Sequence, residues 1–146
     1  HRIAPEKQVE IFRDLAEHLP QYEFIVCQDR QLTKDEYHTL LGEAKIVFSA
    51  NLQETLGISC YEGAIVDAIP MVPDRLSYKE MYFNMFKYPS EWTESFEAYE
   101  VNRQKLCMTI IQHMDNYHTR LPMLSKQVND LKSNFFSCHD LLKKVD

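Results

Sequence analysis

The sequence predicts an α/β domain built on a doubly wound parallel sheet. Two observations lead there. Short apolar runs bounded by polar residues, the pattern of strands buried on both faces, alternate with stretches whose apolar residues recur three and four apart. The chain has 146 residues, 45% hydrophobic and 26% charged, which suffices for one sizeable core and not for two.

From Pro5 to Leu19, the residues Val9, Phe12, Ala16 and Leu19 share a helical face, with Pro5 in the first turn and Pro20 as the stop. Phe24 to Cys27 reads as a strand, and Lys45 to Phe48 as the next. Between them, Thr33 followed at the third position by Glu36 forms a capping box that opens a helix with Tyr37, Leu40, Leu41 and Ala44 inward. A loop from Ser49 to Glu54 leads into a helix from Gly57 or Ile58 to about Val66. A strand from Ile69 to Val72 and a short helix from Tyr78 to Phe83 follow. Right-handed crossovers would put the strand carboxyl ends on one edge, where a ligand is expected. Beyond residue 90 the character changes. Phe96, Tyr99, Leu106, Ile110 and Met114 form one helical stripe, and Leu121, Leu124, Val128, Leu131 and Phe135 another. Residues 1–90 are therefore read as an α/β core, and 91–146 as a helical tail that packs on the sheet or on a partner domain.

A formal charge of -6 with scattered basic residues makes nucleic acid an unexpected partner for this domain. The only basic pair near the end, Lys143-Lys144, is too short to attract an anionic membrane. Cys27, Cys60, Cys107 and Cys138 are far apart and form no C-x-x-C, so they read as reduced thiols rather than zinc ligands. His113 and His118, five apart, do not share a helical face as metal ligands would, and are read as ordinary surface or core histidines. Without an apolar run of membrane-spanning length or a signal-peptide pattern, a cytoplasmic setting is expected. The opening at His1 rather than Met is what an excised part of a longer protein would show.

The chemistry concentrates between Phe48 and Glu62, where a strand ends, a loop turns and a helix starts near Gly57. The first amides of that helix lack intrahelical acceptors, and its dipole adds positive potential, so a phosphate is the natural ligand. Glu54 just before the helix and Glu62 two turns into it bracket that position. Each carboxylate can accept two hydrogen bonds from a vicinal diol, as a sugar or a ribose presents.

Glu54 and Glu62, with Gly57 between them and Pro70 in the next strand, resemble the E-x7-E signature of retaining glycosyltransferases with the GT-B fold. Arg2-Ile3-Ala4-Pro5-Glu6-Lys7 is similar to the G-R-x-x-x-x-K-G stretch after the first strand of that family's C-terminal domain. Pro70 to Glu80 also resembles the tRNA-queuosine mannosyltransferase-like branch. The wider resemblance covers Arg2 to Tyr82. It implies a Rossmann-like, donor-binding C-terminal half, with an N-terminal Rossmann-like domain of the same protein as partner and a nucleotide sugar as substrate. No metal or other cofactor is implied, because Arg2 and Lys7 neutralise the diphosphate while backbone amides from Leu56, Gly57, Ile58 and Ser59 bind it. By the same resemblance Glu54 contacts the donor sugar and Glu62 the ribose.

The chain departs from the family at several places. Gln8 stands where a Gly follows the Lys, and Thr55 replaces the Gly after the first Glu. Asp67 and Ala68 occupy the place of a Gly before the Pro, and Asp can take the left-handed conformation that this turn needs at modest cost. Other readings stand beside the sharp ones. Glu54 and Glu62 read alternatively as solvated helix-end carboxylates, Tyr78 as core, Glu80 as solvent-facing, and Trp92 with Tyr88 and Phe86 as packing. The alternative function is a non-catalytic α/β module that binds a nucleotide or another phosphorylated ligand. A structural domain whose helical tail mediates assembly is a further alternative.

Overall fold

A computed structural model describes residues 8–25, 33–52 and 58–135, the side chains of Ile58 and Ser59 excepted. The helices are α1 (Val9–His18), α2 (Lys34–Glu43), α3 (Ile58–Ile65), α4 (Tyr78–Met81), α5 (Phe96–Asp115) and α6 (Tyr117–Asn134). The strands are β1 (Ile46–Phe48), β2 (Ile69–Pro73) and β3 (Lys87–Tyr88), and single 3-10 turns flank β3. The described strands form one parallel sheet in the order β1-β2-β3, with Val47 opposite Pro70 and Val72 opposite Lys87. The chain is thus a mixed α/β protein.

β2 is central and all five of its residues are buried, yet it carries two prolines. The ladder explains how. Ile69 donates to Lys45 O at 2.7 Å and Met71 O accepts from Ser49 N at 2.9 Å, so odd-numbered residues face β1 and even-numbered ones face β3. Pro70 turns its missing N–H toward the β3 side at a level where β3 has not begun, and Pro73 turns toward β1 past its last paired residue. Neither proline costs the sheet a hydrogen bond.

Helices cover the sheet on both sides. Met71 packs with Ile11 and Leu15 of α1 and with Tyr99, Leu106 and Ile110 of α5. The next residue, Val72, packs with Cys60 of α3, Tyr78 and Met81 of α4, and Leu131 of α6. Successive strand residues point to opposite faces, and each finds an apolar layer. α5 and α6 accordingly build the core itself and are no appendage to it.

Several expectations need adjustment. Phe24 and Ile25 lie in no regular element, Phe24 packing on the core from a loop, while Val26 and Cys27 fall outside the described residues. The buried line of α1 is Ile11, Leu15 and then Leu19 beyond its end, whereas Val9, Phe12 and Ala16 lie half-buried beside it. α2 has no buried residue; its capping box is formed, with Thr33 Oγ1 accepting from Glu36 N at 3.2 Å and Glu36 Oε1 from Thr33 N at 3.0 Å. These bonds to Thr33 hold the Glu36 carboxyl below its usual range. With little burial to stabilise α2, the cap matters more than usual, and Thr33→Ala is expected to cost about 1 kcal/mol in a thermal unfolding experiment. α6 runs through Pro122, which is exposed, so the His118 carbonyl left by the missing N–H can turn to water.

Between α3 and β1 the approach is close. A Cβ on Gly63 would lie 2.5 Å from Val47 Cγ2. Two residues past the end of α3, Asp67 has a φ of 67°, the left-handed turn expected of that residue.

Candidate functional site

The carboxyl ends of the three strands meet a set of buried polar contacts centred on Arg75. β1 stops at Phe48, and the carbonyls of the next three residues are each held by a side chain from another element. Tyr88 OH donates to Ser49 O at 2.5 Å, and Arg75 Nη2 and Gln8 Nε2 donate to Ala50 O at 2.9 and 2.8 Å. Arg75 Nε donates to Asn51 O at 2.9 Å. The same guanidinium reaches the 3-10 turn beyond β3, with Nη1 bonded to Ser90 O at 3.0 Å and Ser90 Oγ at 3.4 Å, and Nη2 to Thr93 O at 3.3 Å. Gln8 Nε2 shares Thr93 O as well.

A guanidinium has five N–H donors, and Arg75 has an acceptor for each. Its partners are neutral oxygens, and burial pulls its pKa down against the opposing influence of Tyr88, Glu94 and Tyr78. It remains a cation because an arginine does not deprotonate in this setting. Arg75 thus clamps two segments of backbone and has no donor left for a ligand.

Tyr88 completes the arrangement. It accepts from Thr93 Oγ1 at 3.2 Å, and its ring stacks between Phe48 at 5.8 Å and Trp92 at 6.2 Å. Burial raises its pKa far above that of a free phenol, so it acts as a neutral donor. Trp92 is therefore a packing residue here; Phe86 packs instead with Ile69 and Leu124. Tyr78 is buried, with its hydroxyl 3.2 Å from Ser49 Oγ, and Glu80 is exposed, as read from the sequence.

The loop after β2 is strained beside this clamp. Arg75 N bonds back to Pro73 O at 2.8 Å, and Leu76 has a φ of 55° with its side chain 42% exposed. A left-handed leucine costs about 1–2 kcal/mol, and such strain gathers at functional edges. On the β3 side a groove of about 420 Å³ is lined by Asp74, Lys79, Asn84, Lys87, Ser90 and Glu91. In it Lys87 Nζ donates to Lys79 O at 3.0 Å and lies 3.3 Å from Asp74 Oδ1.

Of the residues singled out in the sequence, Arg2, Lys7, Glu54, Leu56 and Gly57 lie outside the described residues. Ile58 and Ser59 form the first turn of α3. Glu62 stands on α3 with its side chain 38% exposed and Oε2 3.6 Å from His38 Nε2 of α2. Gln8, Arg75, Tyr88 and Gly63 were not singled out as functional positions. Only Gly63 carried a usable signal, a glycine inside a helix where alanine is preferred.

Among the described residues no group of three or more His, Cys, Asp or Glu side chains could hold a metal ion, and no helix is long and apolar enough to cross a membrane. Cys60 and Cys107 are free thiols. No protein-family model, curated protein or solved structure matches the chain.

Proposed function

We propose that this chain is the donor-binding, doubly wound C-terminal half of a retaining GT-B glycosyltransferase, taking a nucleoside-diphosphate sugar. The observation that carries the reading is a pair of backbone conformations. Where the family has a glycine after the Lys this chain has Gln8, and where it has one before the Pro the candidates are Asp67 and Ala68; Gln8 and Asp67 are left-handed, with φ of 50° and 67°. Non-glycine residues seldom adopt that conformation, and its occurrence at both positions supports a backbone path of the family's kind. Parallel strands whose carboxyl ends open on one edge, with α3 starting there, fit the same reading.

In this mechanism Arg2 and Lys7 neutralise the diphosphate, and the amides of Leu56 to Ser59 receive it at the N-terminus of α3. Glu54 accepts from the donor sugar hydroxyls and Glu62 from the ribose. The leaving diphosphate is stabilised by these fixed donors, while the partner domain supplies the acceptor.

Calorimetric titration of the chain with uridine, guanosine and adenosine diphosphates, with pyrophosphate as control and a chelator present, tests the proposal. One nucleotide is expected to bind at micromolar concentration. Glu62→Ala should weaken that nucleotide at least tenfold and leave pyrophosphate unchanged; equal weakening of both would remove Glu62 from the ribose.

A further inference from the structure

We propose that the groove between α4 and β3 binds an α-amino acid with an uncharged polar side chain, taken up as its zwitterion. The inference stands apart from the donor-binding reading, since none of its residues belongs to that site.

The sheet puts a cation on the floor of the groove. Lys87 is paired with Val72 across the ladder, so its side chain leaves β3 on the face that Val72 shares with α4. That side chain is only 9% exposed, and an ammonium so placed has to be satisfied by fixed oxygens. One N–H goes to Lys79 O at 3.0 Å, and Asp74 Oδ1 stands 3.3 Å from Nζ. An ammonium has three donors, so one remains for a ligand. Asp74 Oδ1 is buried while the side chain as a whole is 42% exposed, so the other carboxylate oxygen is the one a ligand can reach.

The rim repeats the two charges. Lys79 on α4 and Glu91 in the 3-10 turn after β3 are exposed and line the groove, and neither has an ion-pair partner among the described residues. Two ammoniums and two carboxylates sum to zero, so a ligand with a net charge of either sign is attracted by one pair and repelled by the other. A molecule that carries both charges close together meets an opposite charge at each end. Its carboxylate takes the remaining N–H of Lys87 together with Lys79, and its ammonium donates to Asp74 and Glu91. Such charge-assisted bonds are about twice as strong as those between neutral groups, which sets an amino acid above an uncharged polyol. A groove of about 420 Å³ is within the size range of small-molecule sites. Asn84 and Ser90 complete the wall, and Ser90 Oγ accepts from Arg75 Nη1 at 3.4 Å while keeping its own proton to donate. A charged side chain finds no further opposite charge there, whereas an uncharged polar one finds donors and acceptors.

The test is amide NMR of the full chain, titrated to millimolar concentration with serine, threonine, asparagine and glutamine. Each is run beside its amide, which lacks the carboxylate, and its N-acetyl form, which lacks the ammonium; sodium phosphate and glucose are the further controls. At least one amino acid is expected to shift the amides of Asp74, Asn84, Lys87 and Glu91 saturably, and both of its blocked forms to bind more weakly by roughly tenfold or more. Lys87→Met keeps the aliphatic stem and loses the ammonium, and should weaken binding by roughly tenfold. Glu91→Gln, an exposed change that the fold tolerates, should weaken it in the same direction and decides the matter if Lys87→Met does not fold. Lys105→Met, the same chemical change on the exposed side of α5, should bind as wild type does. The proposal is overturned if none of the four amino acids shifts those amides, or if a blocked form, phosphate or glucose binds there as tightly as the amino acid. Unchanged affinity in folded Lys87→Met or in Glu91→Gln overturns it as well. The donor reading is untouched by any of these results, because its own test is nucleotide binding.

Discussion

Gly63→Val is expected to cost about 2–3 kcal/mol of stability and to lower the melting temperature by roughly 5–10 °C. The reason is the closeness of α3 to β1. A Cβ at position 63 would stand 2.5 Å from Val47 Cγ2, and 3.4 and 3.5 Å from the Cβ atoms of Val47 and Ala68. Val47 is β-branched and held in a strand, so it cannot swing aside as a long flexible chain could. Gly63→Ala meets the same clash but gains about 1 kcal/mol of helix propensity, so its net cost should be smaller, about 1 kcal/mol. The attribution is checked by a double-mutant cycle measured by urea unfolding. Val47→Ala empties the space that the new methyl needs, so Gly63→Ala in that background should be neutral or stabilising. Simple additivity of the two changes would show that the Val47 contact is not the cause. The position also bears on the site, because the closeness of α3 to the sheet sets where its first turn meets the strand ends.

The β1-α3-β2 unit was legible in the sequence because its signals agree. Lys45 to Phe48 and Ile69 to Val72 are apolar runs of strand length, and the observed strands fall within a residue of them. The Thr33 and Glu36 cap was legible for the same reason, being a local bond between adjacent turns. The buried face of α1 was not, because Val9, Phe12 and Ala16 form a stripe one residue over from Ile11 and Leu15. Periodicity cannot choose between adjacent apolar faces; α5 does so by packing on the aliphatic pair. β3 has two residues, Lys87 and Tyr88, too few to show any period.

Site residues divide along a similar line. Gln8 and Asp67 were noted as departures from glycine, and their left-handed backbone gives those departures a physical meaning. Arg75 had no signature, because its partners are backbone carbonyls at positions 50, 51, 90 and 93, and any residue type supplies a carbonyl. Tyr88 was read as packing, which its stacked rings bear out, but the Ser49 carbonyl that its hydroxyl holds could be known only from the crossing of β1, β2 and β3.

Acidification from pH 6.5 to 4 is expected to remove about 2–3 kcal/mol of stability through His113 alone. This residue on α5 is 3% exposed, and its Nδ1 has no hydrogen-bond partner among the described residues. Burial, with a smaller contribution from the Arg120 cation, lowers its pKa from 6.5 to about 4. The folded state therefore refuses a proton that the unfolded chain accepts. Above pH 6.5 the imidazole is neutral in both states and the contribution is present in full. As pH falls toward 4 the unfolded chain gains the proton first and stability drops; below 4 both states are protonated and the loss is complete. Among the described residues Arg120 Nε is likewise buried without a hydrogen-bond partner, and a proton on His113 would add a second positive charge beside this guanidinium. His113→Leu keeps an apolar side chain of similar size in the core and removes the titration. Urea unfolding of wild type and His113→Leu at pH 7.5, 6, 5 and 4 should show the two diverge on acidification, with the leucine variant losing about 2–3 kcal/mol less. Other carboxylates titrate equally in both proteins and cancel in the difference. Parallel pH profiles would mean that His113 accepts its proton in the folded state as readily as in the unfolded one.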